Sequence, residues 1–221
     1  VMDVDQWMRV FAMQALGAVR DTYLQDGNHN LRVYARPSDG RMLAFPWDLD
    51  GAFTHSPFPW GSGNLTKVIE RVPYTRMYYG HLHDIVTTTY NAEYMTDWLR
   101  HYGELAGEDF GFVLDVINSR AAATREVLPP RVPFAVTRAT RSPDGTAALV
   151  DGTGWIDLKQ IRRRGADQPL DVTWTTLQNW QATIPVQAGV TAIDLEAIGY
   201  QGDVTARVTV TLPATTAQPA P

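Results

Sequence analysis

The sequence predicts an α+β chain: a mostly helical part with one β-hairpin over residues 1–130, and an all-β sandwich over residues 131–213. Three observations carry that prediction. Apolar residues recur at helical spacing before Pro129. Within that part a single stretch, Leu31 to Phe45, alternates at period two about a tight turn. At Pro129-Pro130 the pattern switches to short alternating runs rich in Val, Thr and Ile, seven of them in about 80 residues.

Length and composition set the bounds. At 221 residues the chain exceeds the roughly 100–200 of a typical domain, so one large or two modest domains are expected. A hydrophobic content of 44%, with seven Trp, nine Tyr and seven Phe, is ample for packed cores. The net charge of −5 argues against a dedicated nucleic-acid binder, which carries a basic face. The absence of cysteine excludes disulfides, iron–sulfur clusters and thiolate zinc sites. No apolar run approaches the roughly 20 residues that span a bilayer. The chain opens on Val1 directly into an amphipathic pattern and closes, over residues 214–221, on a Pro/Thr/Ala linker. It is therefore expected to be a piece of a longer parent.

The first element is a helix. Asp3 or Asp5 can cap it. It is expected to reach about Val19, with Trp7, Val10, Phe11, Gln14 and Gly17 along one stripe and Met8, Ala12, Ala15, Leu16 and Val19 widening it. From Arg20 to Asn30 the period breaks into a loop rich in Asp, Asn and Gly, a composition that by itself only makes turns, since Asx side chains bond their own backbone. The hairpin follows: Leu31-Arg32-Val33-Tyr34 goes out, residues 36–40 turn, and Arg41 to Phe45 returns.

The return strand leads into Pro46-Trp47-Asp48-Leu49-Asp50-Gly51, around which the function is read. In an extended chain residues two apart share a face. If the strand runs on, the Asp48 and Asp50 carboxylates lean together and can share a hard cation, Mg²⁺ or Mn²⁺. Without a cation or a proton between them, like charges repel. Gly51 would then allow a backbone turn that a Cβ resists. Taken alone, the motif reads equally well as an acidic turn. Its company favours the metal, because the hairpin should bring Asp21, Asn30, Asp48 and Asp50 together without a balancing lysine, a donor set suited to a metal–phosphate site.

Asp21, the run Asn30 to Tyr34 and above all Pro46-Trp47-Asp48-Leu49-Asp50 resemble the C-terminal half of the spore-coat protein H (CotH) kinase family, over roughly residues 2–128. The resemblance implies an N-terminally truncated, atypical protein-kinase-like lobe over residues 1–130. It implies transfer of a phosphoryl group from ATP to a Ser or Thr hydroxyl of a protein. Asp21 would be the catalytic aspartate, Asn30 an amide binding metal and nucleotide, Asp48 a carboxylate on both, and Asp50 a second carboxylate on Mg²⁺ or Mn²⁺. The family's Asp-to-Asn interval is usually shorter than the nine positions here, which leaves Asp26 open as the base and Asn28 as the amide ligand. The order agrees with phosphoryl transfer, in which a carboxylate near the attacking hydroxyl is combined with metal on the phosphates.

Both lysines, Lys67 and Lys159, follow the motif, whereas kinase-like folds hold the phosphates with a lysine placed earlier. That lobe is expected elsewhere in the parent, and this chain is not expected to turn over ATP alone. Expected partners are nucleotide, a protein substrate and further domains of the parent, without nucleic acid. The expected setting is extracellular or in a bacterial cell envelope. Two rival readings are an inactive kinase-like scaffold and a surface or carbohydrate-binding protein. For glycoside hydrolysis, two carboxylates on one strand, with Cα atoms about 6–7 Å apart, stand on one side of a bond that needs them on both.

Residues 54–63 read as a Pro/Gly/Trp-rich loop, and Tyr74 to Leu128 as helices stopped by Pro129-Pro130. His81-x-His83-Asp84 is a poor metal motif, because i and i+2 on a helix do not face each other. The seven β-runs are spaced as in immunoglobulin or fibronectin sandwiches. Trp155, Trp174 and Trp180 read as core side chains before they read as a sugar-stacking face. Arg162-Arg163-Arg164 reads as a solvated edge that blocks strand pairing.

Overall fold

The computed structural model describes residues 1–19, 21–24, 29–53 and 66–213. Among them are five helices and nine strands, the strands pairing antiparallel, so the chain is mixed α+β. It divides into two compact units, Val1–Leu128 and the residues from Pro129 onward. Among the described residues no helix is long and apolar enough to cross a membrane.

The first unit is built on α1, Val4–Leu16. Asp3 caps it, accepting from the Gln6 amide at 3.4 Å. The apolar stripe is buried as its spacing demands: Met8, Phe11, Ala12, Ala15 and Leu16 are wholly inaccessible. Burying one such large side chain is worth about 1.5–3 kcal/mol. The helix ends at Leu16, three residues before the expected Val19, because Gly17 caps it and Ala18 turns to φ 57°. The hairpin joins β1, Leu31–Ala35, to β2, Met42–Pro46, with Leu31 opposite Pro46 and Ala35 opposite Met42. Gly40, at φ 69°, supplies the left-handed residue of its turn. Gln6 stitches α1 to β2: its side-chain nitrogen donates to the Ala44 carbonyl at 2.5 Å and its oxygen accepts from the Ala44 amide at 2.8 Å.

Four helices follow: α2 (Thr66–Ile69), α3 (Val72–Thr88), α4 (Ala92–Ala106) and α5 (Gly111–Val127). Pro73 sits in the first turn of α3, where its missing N–H costs nothing. Asn91 caps α4 through the Tyr94 amide, and Gly107, left-handed at φ 70°, ends it. α3 and α5 both pack on α1.

The second unit contains β3 (Ala135–Arg141), β4 (Ala147–Thr153), β5 (Leu158–Arg163), β6 (Val172–Trp174), β7 (Asn179–Pro185), β8 (Ala192–Gly199) and β9 (Val204–Thr211). They form two sheets, β3-β4-β7-β6 and β5-β8-β9. Side chains of both sheets share one core around Trp180, Val150, Ile161, Ile184, Leu195 and Val210. Trp180 is inaccessible and donates its indole N–H to the Thr153 carbonyl at 2.9 Å. Trp155 is also buried, its indole N–H on the Pro129 carbonyl at 2.8 Å and Arg131 over its ring at 4.1 Å. Trp174 is partly buried against the same core. These three are packing residues.

The arginine run departs from expectation. β5 is an edge strand, yet Arg162 is engaged, donating from Nε and Nη2 to Glu196 Oε2 at 3.1 and 3.0 Å. Arg163 donates to the Pro185 carbonyl. Neither is a free solvated charge.

Candidate functional site

The site begins at the C-terminal end of α1. The last four carbonyls of a helix lack intrahelical partners, and here each finds one. Gly17 N–H bonds the Met13 carbonyl (2.8 Å) and Val19 N–H bonds that of Gln14 (3.1 Å). The Arg120 guanidinium bonds the Ala15 carbonyl (2.8 Å) and the Tyr90 hydroxyl bonds that of Leu16 (2.5 Å). Burial pushes the Tyr90 hydroxyl up to about 12 and lowers the Arg120 guanidinium, opposed by the nearby Tyr90 and Tyr78 rings. The chain thus leaves a rigid helix end for Asp21. Neither Arg120 nor Tyr90 was singled out from sequence, because no local pattern marks a cap supplied from a distant helix.

Asp21 is exposed, and its carboxylate meets two groups. His29 Nε2 lies 3.0 Å from Oδ1, and Asn30 Nδ2 donates to Oδ2 at 3.3 Å and to the Asp21 carbonyl at 2.9 Å. Asn30 sits at φ 56°, a left-handed conformation that Asn tolerates better than most residues. The two ends of the nine-residue interval are thereby closed on each other. Because Asn30 donates with its nitrogen, its amide oxygen is left as an acceptor. Asp26 and Asn28, the rival base and ligand, lie outside the described residues. His29 was passed over in the sequence, although its place beside Asn30 in an Asx-rich loop was a usable signal.

Asp48 and Asp50 are arranged differently from the expectation. β2 stops at Pro46, and Asp48 adopts φ 55°. The argument that residues two apart share a face holds only in an extended chain, so it does not apply to this pair. Gly51 is not the residue that needs special backbone freedom, since its φ is not left-handed. The left-handed residues of the turn are Asp48 and Phe53, the latter at φ 61°, which is strained for a bulky side chain. The turn is closed by Ala52 N–H on the Leu49 carbonyl at 3.0 Å. Phe53 N–H then reaches the Gly17 carbonyl at 2.6 Å, tying the segment after Asp50 to the end of α1. Trp47 is held by Arg32 of β1, 4.3 Å above its ring.

The structure therefore joins Asn30 to Asp21 and tethers the turn carrying Asp48 and Asp50 to the helix from which Asp21 departs. Among the described residues no three Asp, Glu or His side chains form a group that could hold a metal by themselves. The exposed carboxylates of Asp48 and Asp50 and the amide oxygen of Asn30 are hard oxygen donors. Donors of this type are the ones Mg²⁺ takes, one or two carboxylates beside several waters and phosphate oxygens. His81 belongs to none of this: it is buried in α3, with Nε2 2.9 Å from Asp5 Oδ1 on α1. No protein-family model matches the chain, and no curated protein matches it.

Proposed function

We propose that residues 1–130 are the catalytic-lobe part of a CotH-like atypical kinase, and that in the full-length parent they transfer the terminal phosphoryl group of ATP to a protein Ser or Thr hydroxyl. The observation that carries this reading is the Asp21–Asn30 pair at the head of the hairpin, with the Asp48–Asp50 turn tied back to α1 through Phe53 and Gly17. Asp21 orients the acceptor hydroxyl and takes its proton. Asn30 presents an amide oxygen, and Asp48 and Asp50 present carboxylates, to Mg²⁺ or Mn²⁺ on the nucleotide side. The bound cation would offset the charge of the phosphates. The lysine that holds those phosphates belongs to a lobe beyond these residues.

In the same reading residues 131–213 are an immunoglobulin- or fibronectin-type β-sandwich, supported by the strand orders β3-β4-β7-β6 and β5-β8-β9 about one shared core. This module supplies none of the proposed acids or amides, and the parent works outside the cell or in the bacterial envelope.

A second reading keeps the kinase-like lobe as an inactive scaffold. It is favoured by the engagement of the Asp21 carboxylate with both His29 and Asn30, which closes a loop without any chemistry. The parent protein separates the two. Asp48→Asn or Asp50→Asn should abolish nucleotide-dependent phosphorylation while leaving the fold intact. Asp21→Asn should spare nucleotide binding and slow transfer by about 10²–10⁴, the usual contribution of a positioned base. No nucleotide-dependent phosphorylation by the parent, or only a background that none of the three variants changes, would leave the scaffold reading.

A further inference from the structure

α4 sorts its side chains into two strips, and the apolar one is open. Tyr94, Trp98, Tyr102 and Leu105 stand at i, i+4, i+8 and i+11, with exposures of 45%, 46%, 54% and 72%. Gly103 is the helix's one buried residue. The rings form a ladder: Tyr94 and Trp98 are 6.5 Å apart, and Trp98 and Tyr102 stack at 6.1 Å with 21° between their planes. Isolated exposed aromatics are ordinary, but a run of stacked, half-exposed rings along one helix is an unfilled contact surface.

The second strip gives the chemistry of what fills it. Glu93, Asp97 and Glu104 stand at i, i+4 and i+11, each one position before a ladder residue, so they share a second strip turned about 100° around the helix from the first. Arg100 holds Asp97 at 2.8 Å. From Glu93 to Asp109 the chain carries five carboxylates against that single guanidinium.

We propose that this face of α4 is a docking surface for a basic polypeptide segment, whose lysine or arginine side chains lie across the Trp98 and Tyr102 rings with their charges against Asp97 and Glu104. The long aliphatic stems of such side chains cover apolar surface while the charged ends stay at the polar rim. The carboxylates steer a positively charged partner toward the surface. The same charges disfavour the other occupants. Two copies meeting symmetrically would set like carboxylates against each other, and an anionic lipid surface would be repelled. The proposal stands apart from the phosphotransfer reading, since none of its residues belongs to that site.

The test is calorimetry of the 221-residue chain with a short lysine–alanine peptide, and with a glutamate–alanine peptide as control. The basic peptide should bind and the acidic one should not. Raising salt from about 0.05 to 0.5 M should weaken binding at least about tenfold, as screening shortens the reach of the carboxylates. Trp98→Ala should weaken it about fivefold. Tyr102→Ser serves as a second reading of the ladder if Trp98→Ala fails to fold. Asp97→Lys combined with Glu104→Lys should transfer binding to the acidic peptide. The proposal is overturned by an absence of saturable binding, or by basic-peptide binding that none of these variants alters. It is equally overturned by a dimer in sedimentation that Trp98→Ala dissociates, because a second copy would then be the occupant.

Discussion

Two residues far from the PWDLD motif fix the end of α1. Arg120 adds a second bond to the Ala15 carbonyl, which Ala18 N–H also reaches, and without Tyr90 the Leu16 carbonyl would lose its partner. Tyr90→Phe removes one such bond and should lower stability by about 1 kcal/mol. In urea this should appear as a lower midpoint with an unchanged slope. A second expectation at this scale concerns acid. The hydrogen bond from Arg36 holds the Asp39 carboxyl down to about 2 from an ordinary 3.8. A carboxyl that binds its proton less readily when folded contributes stability above its unfolded value and loses it as pH falls through the folded one. The hairpin-turn contribution should therefore be complete above about pH 4 and vanish toward pH 2, and Asp39→Asn should erase the difference. An NMR titration of the Asp39 carboxyl reads the same shift directly, and added salt should reduce it because the pair is exposed.

At the scale of elements, the four-stranded sheet of the second unit is packed within itself by contacts that leave no room. A Cβ at Gly152 of β4 would fall 2.3 Å from the Trp180 ring and 2.4 Å from the Ala135 carbonyl. Gly152→Ala should therefore destabilise this unit by at least about 1–3 kcal/mol, the usual cost of overpacking. Circular dichroism on thermal melting would register it. Across β5, β8 and β9 a ladder of Arg162, Glu196 and Arg207 crosses the sheet, with Arg207 Nε 3.0 Å from Glu196 Oε1. The hydrogen bond from Arg207, then that from Arg162, holds the Glu196 carboxyl below its usual range. The ladder should stabilise the sheet above the ordinary value of 4.5 and weaken as pH falls below it. The stability gap between the parent chain and Glu196→Gln should narrow over that interval, and a gap that held constant would contradict the assignment.

At the scale of the molecule, each unit carries its own buried core, so the two should lose structure separately. Trp180→Ala should remove about 3–5 kcal/mol from the second unit and leave the transition of residues 1–128 in place. Scanning calorimetry would then resolve two transitions, one shifted and one not. A single merged transition that moves as a whole would show the units to be thermodynamically one.

The sequence by itself determined what depends on near neighbours. Periodicity placed α1, the hairpin, the helices before Pro129 and the seven strands after it, because the side of an element that is buried repeats with the element's own period. It also brought out the acidic motif and the Asx-rich loop as one candidate site. Only the tertiary structure decided how that site is held. Part of the cap on α1 comes from Arg120, 105 positions beyond Ala15. The turn after Asp48 is tied to the end of α1 through the bond from Phe53 to Gly17. The arginine run after Lys159 is organised by Glu196, 34 positions past Arg162. Contacts of that range leave no trace in local pattern, because a backbone conformation or an ion pair fixed by a distant segment is decided by which elements pack together.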